Sequence, residues 1–322
     1  MVLITRVPVT GRKSFKPIPP AYWDDAATTW GRQVYDKAGA HQFQYYEADL
    51  VISSVLRRGM RVLEIGCGTG GSTFVHAPEV RRVVATDVSR EMVDRARSQL
   101  KHRKFRSRLR FALADASHLP FRDGSFDAVI GRGVALSYVK SPQRALREVY
   151  RVLRPGGRVA IDAMNVNAPL GRSKMGRVRF RTVRKLRGKP VYIEQFNERN
   201  LQVRWVCFLR PRSRLAGYAR KTRVFKTRPK GLERQVLRTE RMHARYFSGQ
   251  TLRRLATRAG FSEIEVVPLG QLYRVLRSAD AATRKFVVRN RRTLSRIVIE
   301  LRDHFKIGSG FHVMLIGARG RT

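Results

Sequence analysis

Cysteine is nearly missing from this chain of 322 residues, with only Cys67 and Cys207 present. Two thiols build neither a disulfide framework nor a cysteine zinc site, so the fold must be held by its own core and no metal is expected. Acids are scarce as well: 24 Asp and Glu stand against 67 Lys and Arg, a formal charge of +43. A field of that size attracts polyanions, which makes nucleic acid or an anionic membrane surface the natural partner. The bland alternative is an arginine-rich surface that serves no partner. No run approaches the roughly 18 to 20 apolar residues that span a bilayer, and no short apolar block follows the basic start as in a secretory signal. The chain is therefore expected to be soluble and cytoplasmic. Its first twenty residues lack acids and carry Arg6, Arg12, Lys13 and Lys16, but Pro8, Pro17, Pro19 and Pro20 oppose the amphipathic helix of an organelle transit peptide.

What is present is ample apolar material, 43% of residues with 9% aromatic, enough for a large core. From residue 50 onward short apolar strands alternate with helical segments, the pattern of a parallel α/β sheet. Strands are expected at 61–65, 82–87, 108–113, 126–131 and 157–163, with helices at 71–77, 89–101 and 142–153. Ser141 caps the last of these, Pro142 takes its first position, and Arg154-Pro155-Gly156-Gly157 stops it. Residues 1–50, with Tyr22, Trp23, Trp30, Tyr35, Phe43, Tyr45 and Tyr46, read as a helical cap ahead of a core over 51–165.

The alternation breaks over 166–245, where about two dozen Lys and Arg meet about four acids. Val178 to Val183, Val191 to Phe196, Leu201 to Leu209 and Ala219 to Phe225 read as strands of an inserted antiparallel unit. In Arg177-Val178-Arg179-Phe180-Arg181 charge alternates with period two, which predicts a row of guanidinium groups on one sheet face. The core pattern resumes over 246–322: Ser248 caps a helix at 250–259, strands follow at 262–268 and from Phe311 to Ala318, and a basic helical stretch lies between them at 277–304.

Arg61-Val62-Leu63-Glu64-Ile65-Gly66-Cys67-Gly68-Thr69-Gly70-Gly71 is an apolar strand running into a glycine turn that opens a helix. Such a turn lets backbone approach a ligand without Cβ interference. Gly66, Gly68 and Gly71 also satisfy the dinucleotide pattern G-x-G-x-x-G, so a nicotinamide or flavin site is the rival. Three carboxylates favour the methyl donor S-adenosylmethionine. Glu64 ends the first strand, suited to a cationic amino-acid group and ill placed beside a pyrophosphate. Asp87 ends the second, suited to ribose hydroxyls. Asp115 follows the third, suited to an adenine amino group.

The run from Leu113 through Asp115-Ala116-Ser117-His118-Leu119-Pro120-Phe121-Arg122-Asp123-Gly124-Ser125-Phe126-Asp127 to Val129 resembles the third and fourth motifs of class I S-adenosylmethionine-dependent methyltransferases. The branch is the one that includes quinone, sterol and natural-product enzymes. Arg147 to Gly157 is similar to the helix and turn before their fifth strand. The resemblance implies a Rossmann-like seven-stranded sheet with a reversed last strand. It implies that Glu64, Gly66, Gly68 and Gly70, with Cys67 inside the turn, line the methionine part of the donor, that Asp87 holds the ribose, and that Val88 packs on the adenine. Asp115 and Ala116 would address the adenine edge. Arg132, after strand four, would contact the donor through its main chain, although relatives often carry a small or amide residue there.

Methyl transfer from a sulfonium is an in-line displacement in which orientation supplies most of the acceleration, so a fixed catalytic constellation need not show in the sequence. A general base is needed only if the acceptor must lose a proton; none is assigned, and His243, Tyr246, Tyr35 and Tyr46 are as well explained by packing. Gly131-Arg132-Gly133-Val134 lacks the tetrapeptide of base-amine chemistry. Arginines of the basic insertion 171–245 alternate with Phe180, Tyr192, Trp205, Phe208 and Tyr218, a mixture suited to phosphates and unpaired bases. Further charge lies at Lys101, Arg103, Lys104, Arg106, Arg108 and Arg110, and at Arg284, Lys285, Arg289, Arg291 and Arg292. RNA, ribosomal or transfer, is the first expectation for the acceptor. A lipid, quinone or metabolite acceptor under a basic lid is the second, and a donor-binding ribosome-assembly factor with little turnover is the third.

Overall fold

The apolar run Val62-Leu63-Glu64-Ile65 is buried at every position, as a strand covered on both faces requires. In the computed structural model it is an interior strand of a seven-stranded sheet. The structure describes residues 15–31, 42–101, 103–166, 178–186, 188–198, 201–220, 223–226, 229–270, 280, 282–283, 286, 289–300 and 312–321, a few of them by backbone alone. They fall into two units, Met1–Tyr22 with Lys174–Arg245, and Trp23–Ser173 with Tyr246–Thr322. The helix α1 (Pro20–Gly31) crosses that division, so the segment read as one cap over 1–50 contributes to both units.

The larger unit contains α2 (Gln42–Val55), β1 (Arg61–Ile65), α3 (Gly71–His76), β2 (Arg82–Asp87), α4 (Arg90–Leu100), β3 (Leu109–Leu113), β4 (Phe126–Gly131), α5 (Pro142–Val152) and β5 (Leu153–Met164). After the excursion through the other unit come α8 (Gly249–Ala259), β11 (Ser262–Leu269), α9 (Arg291–Glu300) and β12 (His312–Ala318). Strand order is β11-β12-β5-β4-β1-β2-β3. β12 runs antiparallel to both β5 and β11, while β5, β4, β1, β2 and β3 run parallel. This is the sheet with a reversed last strand that the motifs imply. Two of its helix caps are the ones expected, Ser141 accepting from Arg144 N and Ser248 from Thr251 N, and Ser89 caps α4 by accepting from Met92 N. One face packs Ala128, Ile130, Ala160, Met314 and Ile316 under Ala48, Val51, Ile52 and Val55 of α2. The other packs Val159, Ile161, Val313 and Leu315 with α5 and α8.

The smaller unit carries β6 (Val178–Leu186), β7 (Lys189–Glu198), β8 (Leu201–Leu209), α6 (Arg214–Gly217), β9 (Arg223–Val224), α7 (Leu232–Gln235) and β10 (Val236–Arg245), as an antiparallel sheet in the order β10-β8-β7-β6-β9. Val183, Tyr192 and Cys207 pack under Leu215, Ala216, Ala219 and Leu232. Two expectations need correction. The strand read over Ala219 to Phe225 is a 3-10 turn, Tyr218–Arg220, followed by only two strand residues, because Ala219 turns inward to that core. The edge strand β10 was not expected, since its alternating charges hide the buried Met242 and Ala244. The register also shifts between Val178 and Phe180, and such a bulge breaks a strict period of two. Of the arginine row, the side chains of Arg177 and Arg179 lie outside the described residues, and Arg181 pairs with Glu194 at 3.0 Å.

Candidate donor site

Three strand ends and one glycine turn meet at the carboxyl edge of the larger sheet, the edge where open α/β sheets take ligands. Gly66 and Gly70 both have positive φ, +67° and +89°. At Gly66 a Cβ would collide with Ala135 Cβ, and at Gly70 with the Phe74 ring. The backbone therefore passes where no other residue fits. Cys67 N donates to Thr86 O at 2.9 Å; its buried thiol has a pKa pushed up by desolvation, which makes it part of the turn's packing rather than a nucleophile.

Glu64 is fully buried. Thr73 Oγ1 donates to its Oε2 at 2.5 Å, whereas Oε1 is buried with no hydrogen-bond partner among the described residues. Burial raises the Glu64 pKa, against the pull of the Thr73 hydroxyl and of the positive Arg132 and His76. An orphaned, solvent-free carboxylate oxygen is costly unless a donor or cation meets it. The ammonium of an amino-acid moiety fits that requirement.

Asp87 lies beside it. Its Oδ2 accepts from Gly68 N at 2.8 Å and its Oδ1 from Ser89 N at 2.9 Å. Desolvation raises its pKa while these amide bonds lower it. A carboxylate has about four acceptor positions, so two remain for a ribose diol. Asp87 pairs in register with Leu113, and Ala114 N donates to Asp87 O at 2.9 Å. Val88 and Leu113 thus sit on adjacent strand ends, and both are exposed, 38% and 46%, as an apolar seat for a flat base would be. Asp115 is exposed, its Oδ1 accepting from Ser117 N at 2.8 Å, with Ala116 half-buried beside it.

Arg132 follows β4 and is buried. Its guanidinium turns to Asp49 of α2, 2.6 Å away, and lies over the Tyr45 ring at 5.3 Å. Asp49 also takes His76 Nε2 at 3.2 Å, and His76 Nδ1 lies 3.5 Å from Glu79 Oε2. These acids raise the His76 pKa from 6.5 to about 9 against an opposing burial effect. Further along the same edge Asp162, fully buried in β5, accepts from Val134 N at 2.6 Å through Oδ1 and meets His312 Nδ1 at 3.0 Å through Oδ2. Val134 itself has φ +64°, a strained conformation for a β-branched residue, and the bond its N–H donates to Asp162 holds it there.

The structure thus brings Glu64, Gly66, Cys67, Gly68, Gly70, Asp87, Val88, Asp115, Ala116 and Arg132 to one edge. Sequence reasoning missed Asp49, His76, Asp162 and His312. For Asp162 a signal was available: a carboxylate inside the apolar run Val159 to Met164 must have a partner. Of the residues weighed as bases, His243 belongs to the smaller unit, where its Nδ1 accepts from Lys16 N at 2.9 Å and its ring stacks on Phe15. Tyr246 is buried and Tyr46 half-buried, and Tyr35 lies outside the described residues. No helix among the described residues is long and apolar enough to cross a membrane.

Residues 63–161 match the family described as a methyltransferase domain. The chain is 34% identical over 122 residues to a demethylmenaquinone methyltransferase of Symbiobacterium thermophilum, covering 37% of this chain and 48% of that one. It is 37% identical over 124 residues to the 27-O-demethylrifamycin SV methyltransferase of Amycolatopsis mediterranei, covering 36% and 43%. The matches thus span somewhat under half the length of these relatives. Among solved structures, the CcbJ methyltransferase of Streptomyces caelestis shares the fold, with a TM-score of 0.60 at 18% identity over 95% of this chain and 100% of that one. Motif, sheet order and matched residues agree, and the chain carries a class I S-adenosylmethionine-dependent methyltransferase domain.

Proposed function

We propose that this protein transfers the methyl group of S-adenosylmethionine to a small organic acceptor. The observation that carries the donor half is the buried Glu64 carboxylate, with one oxygen orphaned, in line with a glycine turn, the Asp87 carboxylate and the Val88–Leu113 seat. The donor supplies an electrophilic methyl carbon on a sulfonium. Glu64 would hold its ammonium end, Asp87 its ribose hydroxyls, and Val88, Asp115 and Ala116 its base. Together they fix the direction from which an acceptor must approach, and orientation is most of what this reaction requires.

The acceptor half rests on the relatives, whose names specify a demethylmenaquinone and a demethylrifamycin, organic molecules rather than nucleic acids. They favour the second of the expected acceptors over RNA. Arg181, the one described member of the arginine row, supports the same reading, because it is tied to Glu194 and to Lys226 O.

The test is label transfer. Purified protein is incubated with tritiated-methyl donor and, in parallel, with an organic extract and with total RNA. Label in the extract at a rate insensitive to salt is the expected result. Label in RNA, with binding that falls steeply as salt rises, would replace the acceptor. Donor binding without transfer to either pool would leave a binding protein.

A further inference from the structure

The carboxyl edge of the larger sheet also carries a histidine whose orientation is already set. β5 lies next to β4, and β12 beyond β5, on the opposite side from β1, β2 and β3. Because β12 runs backwards, its first residue rather than its last reaches this edge, and His312 pairs in register with Met164 at the end of β5. Asp162, two residues before Met164, points to the same face. Its Oδ2 meets His312 Nδ1 at 3.0 Å. An Asp162 carboxylate can only accept, so Nδ1 carries the hydrogen and Nε2 presents a lone pair. Asp162 is well anchored: it is fully buried and its other oxygen holds Val134 N. The imidazole is 11% exposed as a side chain, and its Nε2 makes no hydrogen bond among the described residues. Tyr45 of α2 stands edge-on to the ring at 6.3 Å.

From this geometry we infer that His312 is the general base of the methyl transfer, with Asp162 as its positioning residue, and that the acceptor is a hydroxyl compound such as a phenol or hydroquinone. The inference rests on the methyltransferase reading above. In the step, the hydroxyl proton passes to His312 Nε2 and the oxygen lone pair forms the new O–C bond. The electron pair of the broken C–S bond stays on sulfur. His312 then returns its proton to water, so the reaction is balanced without a further reagent. The loop Arg132–Val134, expected to touch the donor, is bonded to Asp162 through Val134, so the same carboxylate orients the base and the wall of the donor site. Among the described residues, the titratable groups with a contact to the ring are Asp162 on β5 and Tyr45 on α2. Arg132 lies over the Tyr45 ring, and Glu47 of α2 is held by Gly270 N.

Two measurements on the full chain decide it. Long-range proton–nitrogen correlation on histidine-labelled protein, assigned with His312→Gln, should show His312 as the Nδ1–H tautomer with an unprotonated Nε2. Asp162→Asn should relax that tautomer preference. A dominant Nε2–H tautomer overturns the proposal without any acceptor being known. The second measurement uses 1,4-naphthohydroquinone as probe under anaerobic conditions. His312→Gln should lower kcat by about 10² to 10⁴-fold, abolish the acidic limb of the pH–rate profile and leave donor affinity within about twofold. A fall of less than about threefold with donor still bound overturns the base assignment. Should wild-type protein fail to bind the donor, the methyltransferase reading falls, while the tautomer result still stands for or against the dyad. If donor binds and the probe is not methylated, the hydroquinone acceptor class is refuted and the tautomer measurement decides the base.

Discussion

Arg132 Nη1 and Asp49 Oδ2 meet at 2.6 Å, with the two side chains only 4% and 15% exposed. An arginine in the loop beside the proposed sulfonium site would set two cations against one another. Asp49, brought from α2, removes that conflict. Its replacement removes the carboxylate 2.6 Å from a buried guanidinium, and breaking a buried ion pair destabilises by about 3–5 kcal/mol. Asp49→Asn should therefore lower the melting temperature and weaken S-adenosylmethionine more than its neutral product S-adenosylhomocysteine, by about tenfold in the ratio. Calorimetry with both ligands checks this, and Asp49→Asn/Arg132→Met should recover most of the stability. Equal losses for both ligands would remove the charge argument.

His76 gives a pH signature. Its pKa rises from 6.5 to about 9 in the folded protein because Asp49 and Glu79 face it. A raised histidine contributes stability that is full below pH 6.5 and is lost as pH climbs through about 9. The contribution is on the order of 3 kcal/mol. Denaturant unfolding between pH 6 and 10 should show this decline, and His76→Gln should flatten it.

Glu64 gives the opposite sign for ligand binding. Burial raises its pKa in the free protein, and a bound ammonium would pull it back down. Donor binding should release a proton from the protonated fraction and strengthen as pH rises through the titration of free Glu64. Isothermal titration in buffers of different ionisation enthalpy reads that proton, and Glu64→Gln should abolish it.

Asp87→Ala should remove the acceptor of Gly68 N and Ser89 N together with the ribose partner. Donor affinity should fall at least tenfold while the strand order is kept. Unchanged affinity by calorimetry would contradict the site.

Gly66→Ala should fail for two separable reasons, a φ of +67° and the approach of Ala135. Adding Ala135→Gly relieves the collision alone. The double variant should regain part of the melting temperature, and the remaining deficit, about 1–2 kcal/mol, is the cost of a left-handed conformation for a residue with a side chain.

What could be read beforehand follows from range in the chain. The turn Gly66 to Gly70, the caps Ser141 and Ser248 and the carboxylates ending β1 and β2 are local signals, each written within a few residues. Asp49 with Arg132 and Asp162 with His312 are polar partners 83 and 150 positions apart. Nothing in a single sequence couples them, so only folding reveals the pairs. β10 escaped for a different reason: Arg238, Glu240 and Arg241 mask its inward Met242 and Ala244, and a charged strand does not look like one.

Phe247 N donates to Met164 O at 2.8 Å and Val166 N to Phe247 O at 3.0 Å, so the chain departs from the larger unit and rejoins it at a single stitched point. An excursion whose two ends are already adjacent adds nothing to the path the rest of the polypeptide must follow. The segment 174–245 is in this sense an appendix to a finished scaffold. Insertions of other lengths are expected to be tolerated best at such a junction.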